Sequence, residues 1–291
     1  MKTHIILTAL FAMALASCDK PDGYGSLSVG IGYSVNGMHL ITDSLCYHNE
    51  AGNTFMITEI QWFLSRMELQ DDQGEWNPMG TFYIDTDIPE SQTLRMAHFP
   101  VGHYKTLRFI FGLNEEDNVS GLYSDPPESN MFWPEPLGGG YHYMKLNGRY
   151  VNEAGELMPL NIHLGIGQNG DHSEYYQNYF TVVLPIDFAV VENAENQFDL
   201  TMIVDNWFRG PCLYDFNEYG SAIMQNQTAQ QVLRENGHDV FITSIQTKRN
   251  NAMKEEDFAE KLRNTIQKAA PKPHFWTWDN VKERFSAASR H

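Results

Sequence analysis

Thr54-Phe-Met-Ile-Thr-Glu-Ile-Gln-Trp-Phe-Leu-Ser-Arg-Met-Glu-Leu69 is the stretch that decides the fold. It is long, apolar and rich in β-branched and aromatic residues, which suit a pleated strand with a buried face. Asp71-Asp72-Gln73-Gly74 follows with the residue types of a hairpin turn. The pattern recurs along the chain. Leu27, Val29, Ile31 and Tyr33 alternate with small residues, and Leu107, Phe109, Phe111 and Leu113 alternate as well. So do residues 141–147, and Phe198, Leu200, Met202 and Val204. Short strands punctuated by Gly, Pro and Asn predict a mainly β fold, an antiparallel β-sandwich or barrel-like domain with C-terminal helices.

Two regions depart from this pattern. Residues 120–140 carry Pro126, Pro127, Pro134, Pro136 and three consecutive glycines, Gly138 to Gly140. Proline removes ladder donors and glycine loosens the backbone, so this is a long ordered loop of the kind that tends to be functional. The last third turns helical. Residues 221–236 are rich in Ala, Gln and Leu, and Gly237 follows as a helix stop. In residues 253–270, Phe258, Leu262 and Ile266 form one apolar stripe, with Glu255, Glu256 and Asp257 at the start and Lys268 at the end. Residues 276–288 form a last short helix.

The N-terminus sets the compartment. Lys2 precedes an apolar run over residues 5–16, too short to span a bilayer, which needs roughly 20 residues. Leu15-Ala16-Ser17-Cys18 resembles the lipobox of bacterial lipoproteins. The expected organisation is therefore a signal peptide at 1–17, a lipidated tether at 18–26, a β-rich domain at 27–245 and a helical extension at 246–291. The membrane is then a partner through the lipid on Cys18, and the location is the cell envelope. The formal charge of −17 argues against nucleic acid, where Lys and Arg must displace counterions. Cys46 and Cys212 remain. An oxidising compartment permits a bridge between them, worth around 5 kcal/mol in the chain-entropy model; the alternative is two free thiols.

Few motifs carry chemistry. Gly165-Ile166-Gly167-Gln168-Asn169-Gly170 matches G-x-G-x-x-G but lacks a following helix pattern, so it reads as a turn and not as a nucleotide loop. No nucleophile elbow, Walker loop or Ser-His-Asp pattern occurs, and the chain is not read as an enzyme. Glu115-Glu116 reads as a solvated acidic turn. Histidines are the metal candidates; none has zinc-finger or zincin spacing, but on a β-scaffold the ligands come from different strands. His163 taken alone reads more readily as a hydrogen-bonded core residue of a strand than as a ligand.

Four ordered segments add a resemblance: Phe109-Ile-Phe-Gly-Leu-Asn-Glu-Glu-Asp-Asn118, Pro126-Pro-Glu-Ser-Asn-Met-Phe-Trp-Pro134, Gly139-Gly-Tyr-His-Tyr-Met-Lys-Leu-Asn-Gly148 and Asn161-Ile-His-Leu-Gly165. With Ile57 to Leu69 upstream, they resemble the MbnP-like family of bacterial envelope proteins over roughly residues 26–245. The resemblance implies a β-rich copper-binding protein. It also implies a tryptophan that a MauG-like dihaem enzyme of the cytochrome c peroxidase family oxidises to kynurenine, and that joins histidines at copper. Carried onto this chain, Trp133 is the oxidised residue and His163 the first metal ligand. Family members often carry a first-strand histidine in Phe-x-His-x-Val-x-Gly; here Ile31-Gly-Tyr-Ser-Val-Asn-Gly37 puts Tyr33 in that place. Its replacement as ligand falls to His142 or His39. Without copper, the same fold would serve as a binding or structural lipoprotein for a glycan, peptide or envelope partner, with Phe132, Trp133, Tyr141 and Tyr143 as a stacking surface.

The lipid anchor has a direct consequence. Cys18→Ala moves the protein from the membrane fraction to the soluble fraction; unchanged partition on fractionation would exclude lipid as the main anchor.

Overall fold

The computed structural model of the chain describes residues 23–169 and 174–245. The signal segment, Cys18 and the helices expected over 253–270 and 276–288 lie outside the described residues. Strands β1 (Tyr24–Val35), β2 (Met38–His39), β3 (Tyr47–His48), β4 (Thr54–Asp71), β5 (Trp76–Asp85), β6 (Thr93–Pro100) and β7 (Gly102–Phe111) come first. After a long loop come β8 (Met144–Val151), β9 (Leu157–Leu164), β10 (Gly167–Gln168), β11 (Tyr175–Tyr176), β12 (Phe180–Val190) and β13 (Glu195–Ile203). Short helix α1 (Phe216–Tyr219), helix α2 (Gln227–Asn236) and strand β14 (Phe241–Ser244) follow.

The Thr54 strand is the spine of a seven-stranded sheet. Its first half pairs with β8 and β3, its second half with β7 and β5. β9 extends the sheet beyond β8, and β12 extends it beyond β7. β4 and β5 close as the hairpin expected at Asp71-Asp72-Gln73-Gly74, where Asp71 N donates to Glu75 O at 3.0 Å. The second sheet has five strands in the order β14-β13-β1-β2, with β6 also on β1. One of its pairs is not antiparallel: β1 and β13 run parallel from Ser26 opposite Glu195 to Ser34 opposite Ile203. A parallel pair needs a long crossover, and here nearly the whole domain forms it.

The two sheets lie face to face as a sandwich, with aromatic rings between them. Trp62 Nε1 donates to the Tyr33 hydroxyl at 3.0 Å, joining the sheets through a paired polar contact. Phe111 sits at the centre, with ring centroids 6.0 Å from Trp62, 5.0 Å from Phe180, 5.0 Å from Trp207 and 6.0 Å from Phe241.

Several local expectations are corrected. β1 begins at Tyr24, so the segment assigned to the tether ends earlier than residue 26. α2 begins at Gln227 and not at residue 221, because Asn161 N bonds Ser221 O and Ala222 bridges to Asn161. That pairing with the edge of β9 overrides helix propensity, and Asn226 then caps the helix through Ala229 N. Cys46 and Cys212 form no bridge: both are free thiols. Cys46 faces solvent, while Cys212 is tied to the end of α2 by Asn236 Oδ1, 2.9 Å from its amide, so neither thiol is presented to the other. The acidic turn is paired as well as solvated. Arg66 bonds Glu116 and Asp117, each at 2.6 Å, and Tyr179 donates to Glu115.

Phe111→Ala would leave a void among four aromatic rings. The expected loss of stability is about 3–5 kcal/mol, read from urea unfolding. A loss under about 1 kcal/mol would show that this ring does not organise the core.

Candidate metal site

The site forms where the Pro/Gly loop returns to the sheet. Gly138, Gly139 and Gly140 adopt φ of 116°, 70° and 78°, in the left-handed region where a side chain is strained. They let residues 131–133 double back along residues 140–142. Trp133 N donates to Gly140 O at 2.8 Å, His142 N donates to Met131 O at 2.6 Å, and Phe132 bridges to Tyr141. This local ladder sets the Trp133 and His142 rings 4.7 Å apart, centroid to centroid.

Strand alternation does not place these rings. β8 begins only at Met144, and residues 141–144 are all buried, so the in-and-out pattern of the strand stops before His142. Tyr141 packs on Phe63 and Tyr123, and the local ladder sets His142 beside Trp133. The loop covers it as a roof, and His142 is only 5 % exposed. His163 reaches the same place from β9, where its neighbours Ile162 and Leu164 are core residues. The His142 and His163 ring centroids are 5.1 Å apart with planes at 82°. Trp133 is fully buried, its Nε1 donates to Leu137 O at 3.0 Å, and its six-membered ring lies on Gly165. A Cβ on Gly165 would sit 2.5 Å from the ring, so the Ile-His-Leu-Gly string needs its glycine for close approach. Lys145, opposite His163 in the β8–β9 register, holds the roof by donating to Asn130 O at 2.5 Å.

The hydrogen bonds fix which nitrogen of each ring is free. His142 Nδ1 lies 2.9 Å from Met131 O; a carbonyl only accepts, so Nδ1 carries the proton. Nε2 is then a lone pair, and it is buried with no hydrogen-bond partner. His163 Nε2 lies 2.9 Å from Asn147 Oδ1, which leaves its Nδ1 as the free nitrogen. Burial pushes the His142 imidazole down to about 3 and the His163 imidazole down to about 4, and the Lys145 ammonium adds to both shifts. Both rings are therefore neutral at neutral pH, the form that ligates metal.

The structure thus brings together Trp133, His142 and His163. It does not bring in His39, which is exposed on β2 opposite Ser34, in the other sheet. Tyr33 also lies elsewhere: it is buried between the sheets, on the far side of the seven-stranded sheet from the two imidazoles. Among the described residues no group of three or more His, Cys, Asp or Glu converges as a metal cage. The glycine string runs into β10 and not into a helix, and Gly167 packs against Gln227. Of the four loop aromatics only Phe132 is exposed, at 45 %, which leaves no stacking surface for a ligand. Asn147 and Gly165 escape a search for metal-ligand types. Their signal in the sequence is position: Asn147 shares the outer face with Lys145, and Gly165 follows two residues after His163.

Gly165→Ala forces the added methyl against the Trp133 ring and lifts the roof. The expected cost is about 1–3 kcal/mol in urea unfolding, with His142 becoming accessible to carbethoxylation by diethyl pyrocarbonate. Unchanged stability and a still-protected His142 would refute the packing role of this glycine.

A family model described as MbnP matches residues 24–229. Among solved structures, MbnP from Methylosinus trichosporium is similar, with a TM-score of 0.51 and 14% identity, covering 77% of this chain and 99% of that one. At that identity the likeness speaks for the fold. Among proteins of curated function none matches. No described helix is long and apolar enough to cross a membrane. The family match takes in the core strands, the roof loop and both buried histidines, and the chain belongs to the MbnP family.

Proposed function

We propose that this protein is a lipid-anchored envelope protein that binds a copper ion through His142 and His163 beside Trp133, without catalytic turnover. One observation carries this: a buried His142 Nε2 lone pair with no partner, beside a second neutral imidazole. An unpaired buried acceptor costs free energy, of order 1–3 kcal/mol, unless something occupies its lone pair. The donor set fits copper. Two neutral nitrogens without a third protein ligand are too few for a structural zinc site, which takes four. The cuprous ion is soft, accepts imidazole and tolerates low coordination numbers.

Trp133 is the residue for oxidation to kynurenine by a MauG-like dihaem enzyme. Its indole nitrogen is engaged with Leu137 O. Oxidative cleavage of the indole C2–C3 bond, with oxygen drawn from dioxygen or peroxide used by that enzyme, and hydrolytic loss of C2 as formate would turn that nitrogen into an aniline amine, a further donor beside the histidines. Because the ring is fully buried, the oxidising partner would have to draw electrons through the roof or displace it. Anchoring rests on Leu15-Ala16-Ser17-Cys18.

The test uses protein purified from its native host. Intact mass reports whether Trp133 is oxidised, and elemental analysis with competition against a cuprous chelator reports the metal. One copper per chain is expected. His142→Ala and His163→Ala should each weaken cuprous binding beyond the roughly 10–100-fold typical of losing an outer-sphere partner. Wild-type protein without copper affinity, or a His142→Ala variant that binds as well as wild type, would sink the reading.

A further inference from the structure

Outside the two rings, a hydrogen-bonded chain crosses three strands of the outer face. Glu59 on β4 and Asn147 on β8 are register partners, and Asn147 Nδ2 donates to Glu59 Oε2 at 3.0 Å. The same amide presents Oδ1 to His163 Nε2 on β9 at 2.9 Å. We propose that Glu59 and Asn147 are positioning residues of the metal site, which hold His163 in the tautomer that leaves Nδ1 free to bind. This inference rests on the copper reading above.

The argument is one of donor direction. Burial pushes the Glu59 carboxyl upward, while the Asn147 bond and the Lys145 ammonium pull it back; ionised, it only accepts, and so obliges Asn147 to turn its NH₂ group toward β4. The amide oxygen must then face β9. An oxygen there accepts from His163, so the imidazole proton belongs on Nε2 and the lone pair on Nδ1. Glu59 never touches the ring, yet it decides which nitrogen a metal can use. His142 is fixed by a different device, the Met131 carbonyl, and to the opposite tautomer. Each ligand thus has its own orienting acceptor, the arrangement that sets ligand basicity and ring orientation in metal sites generally. Half-burial of Glu59 and Asn147 beside the strand backbone keeps water from supplying the same bond freely.

Glu59→Gln keeps size and shape but removes the direction. A glutamine side chain can donate or accept, so the Asn147 amide can flip and His163 can take its proton on Nδ1. A double variant, Glu59→Gln with Asn147→Asp, exchanges amide and carboxylate. The amide now on β4 donates, the carboxylate now on β8 accepts from His163 Nε2, and the direction returns. Long-range ¹H–¹⁵N spectra of the metal-free full chain read the tautomer directly. Titration with cuprous ion alone, against a competing chelator, reads the affinity. Wild type and the double variant should show the Nε2–H form of His163. Glu59→Gln alone should show a mixture and bind cuprous ion about 10–100-fold more weakly. The double variant should recover most of that loss. A Glu59→Gln protein with an unchanged tautomer and unchanged affinity overturns the proposal, as does a double variant no better than the single one. Failure of the copper reading appears separately, as wild-type protein that binds no cuprous ion.

Discussion

The pleat of β8 and β9 obliges every second residue to face away from the core, and that obligation shapes the loop, the roof and the site. The inward residues, from Met144 and Leu146 to Ile162 and Leu164, are buried without remainder. The outward ones, Lys145, Asn147 and His163, are polar and stand on a face that the Pro/Gly loop partly covers. Covering polar groups is unfavourable unless each is bonded. Lys145 meets that demand through Asn130 O, Asn147 through Glu59, and His163 through Asn147. His142 Nε2 is the lone pair beside this face for which the covering provides nothing; Asn118 Nδ2 in the loop is also unpaired, but it is a donor that no cation would satisfy. The functional reading starts from that lone pair.

How much of this the sequence discloses depends on the range of the interaction. The Thr54 strand, its hairpin at Asp71 and the alternating strands around Phe109 and Phe198 are local patterns, and they are legible. The Pro/Gly loop is legible as a loop for the same reason. The parallel pairing of β1 with β13 is not, since it joins residues from opposite ends of the domain. The start of α2 is hidden because Ser221 and Ala222 bond to Asn161, far away in the chain. His142 shows the limit of local pattern. The alternation expected over residues 141–147 holds only from Met144 onward, since residues 141–144 are all buried, and nothing local reveals that the Trp133 ring packs beside His142 and on Gly165. The free state of Cys46 and Cys212 is likewise a matter of where distant segments land.

Position 33 matters for the same reason. A tyrosine where relatives often carry a histidine looks like a lost ligand while the sequence is read linearly. In the fold, Tyr33 points into the space between the sheets and accepts a hydrogen bond from Trp62. The two imidazoles lie beyond the other face of the sheet that contains Trp62. A side chain at position 33 therefore packs the sandwich. Tyrosine is suited to that place, with a ring for the core and a hydroxyl that accepts from the Trp62 indole.

Charge around the two rings bears on which cation could be held there. Neutral imidazoles bring no negative charge, and the Lys145 ammonium beside them opposes any cation. Glu59 offsets that charge from the far end of the relay, one amide away from the ring. A hard divalent ion would gain little in such a setting, since oxygen-ligand sites work by gathering carboxylates close to the ion. What the two rings offer is directional nitrogen lone pairs in largely buried surroundings beside the Trp133 ring. Those are the terms on which a soft, singly charged ion binds: overlap with the donor counts for more than charge, and desolvation of the ion costs less than for a divalent one. The net charge of −17 belongs to the surface of the chain and leaves this local balance unchanged.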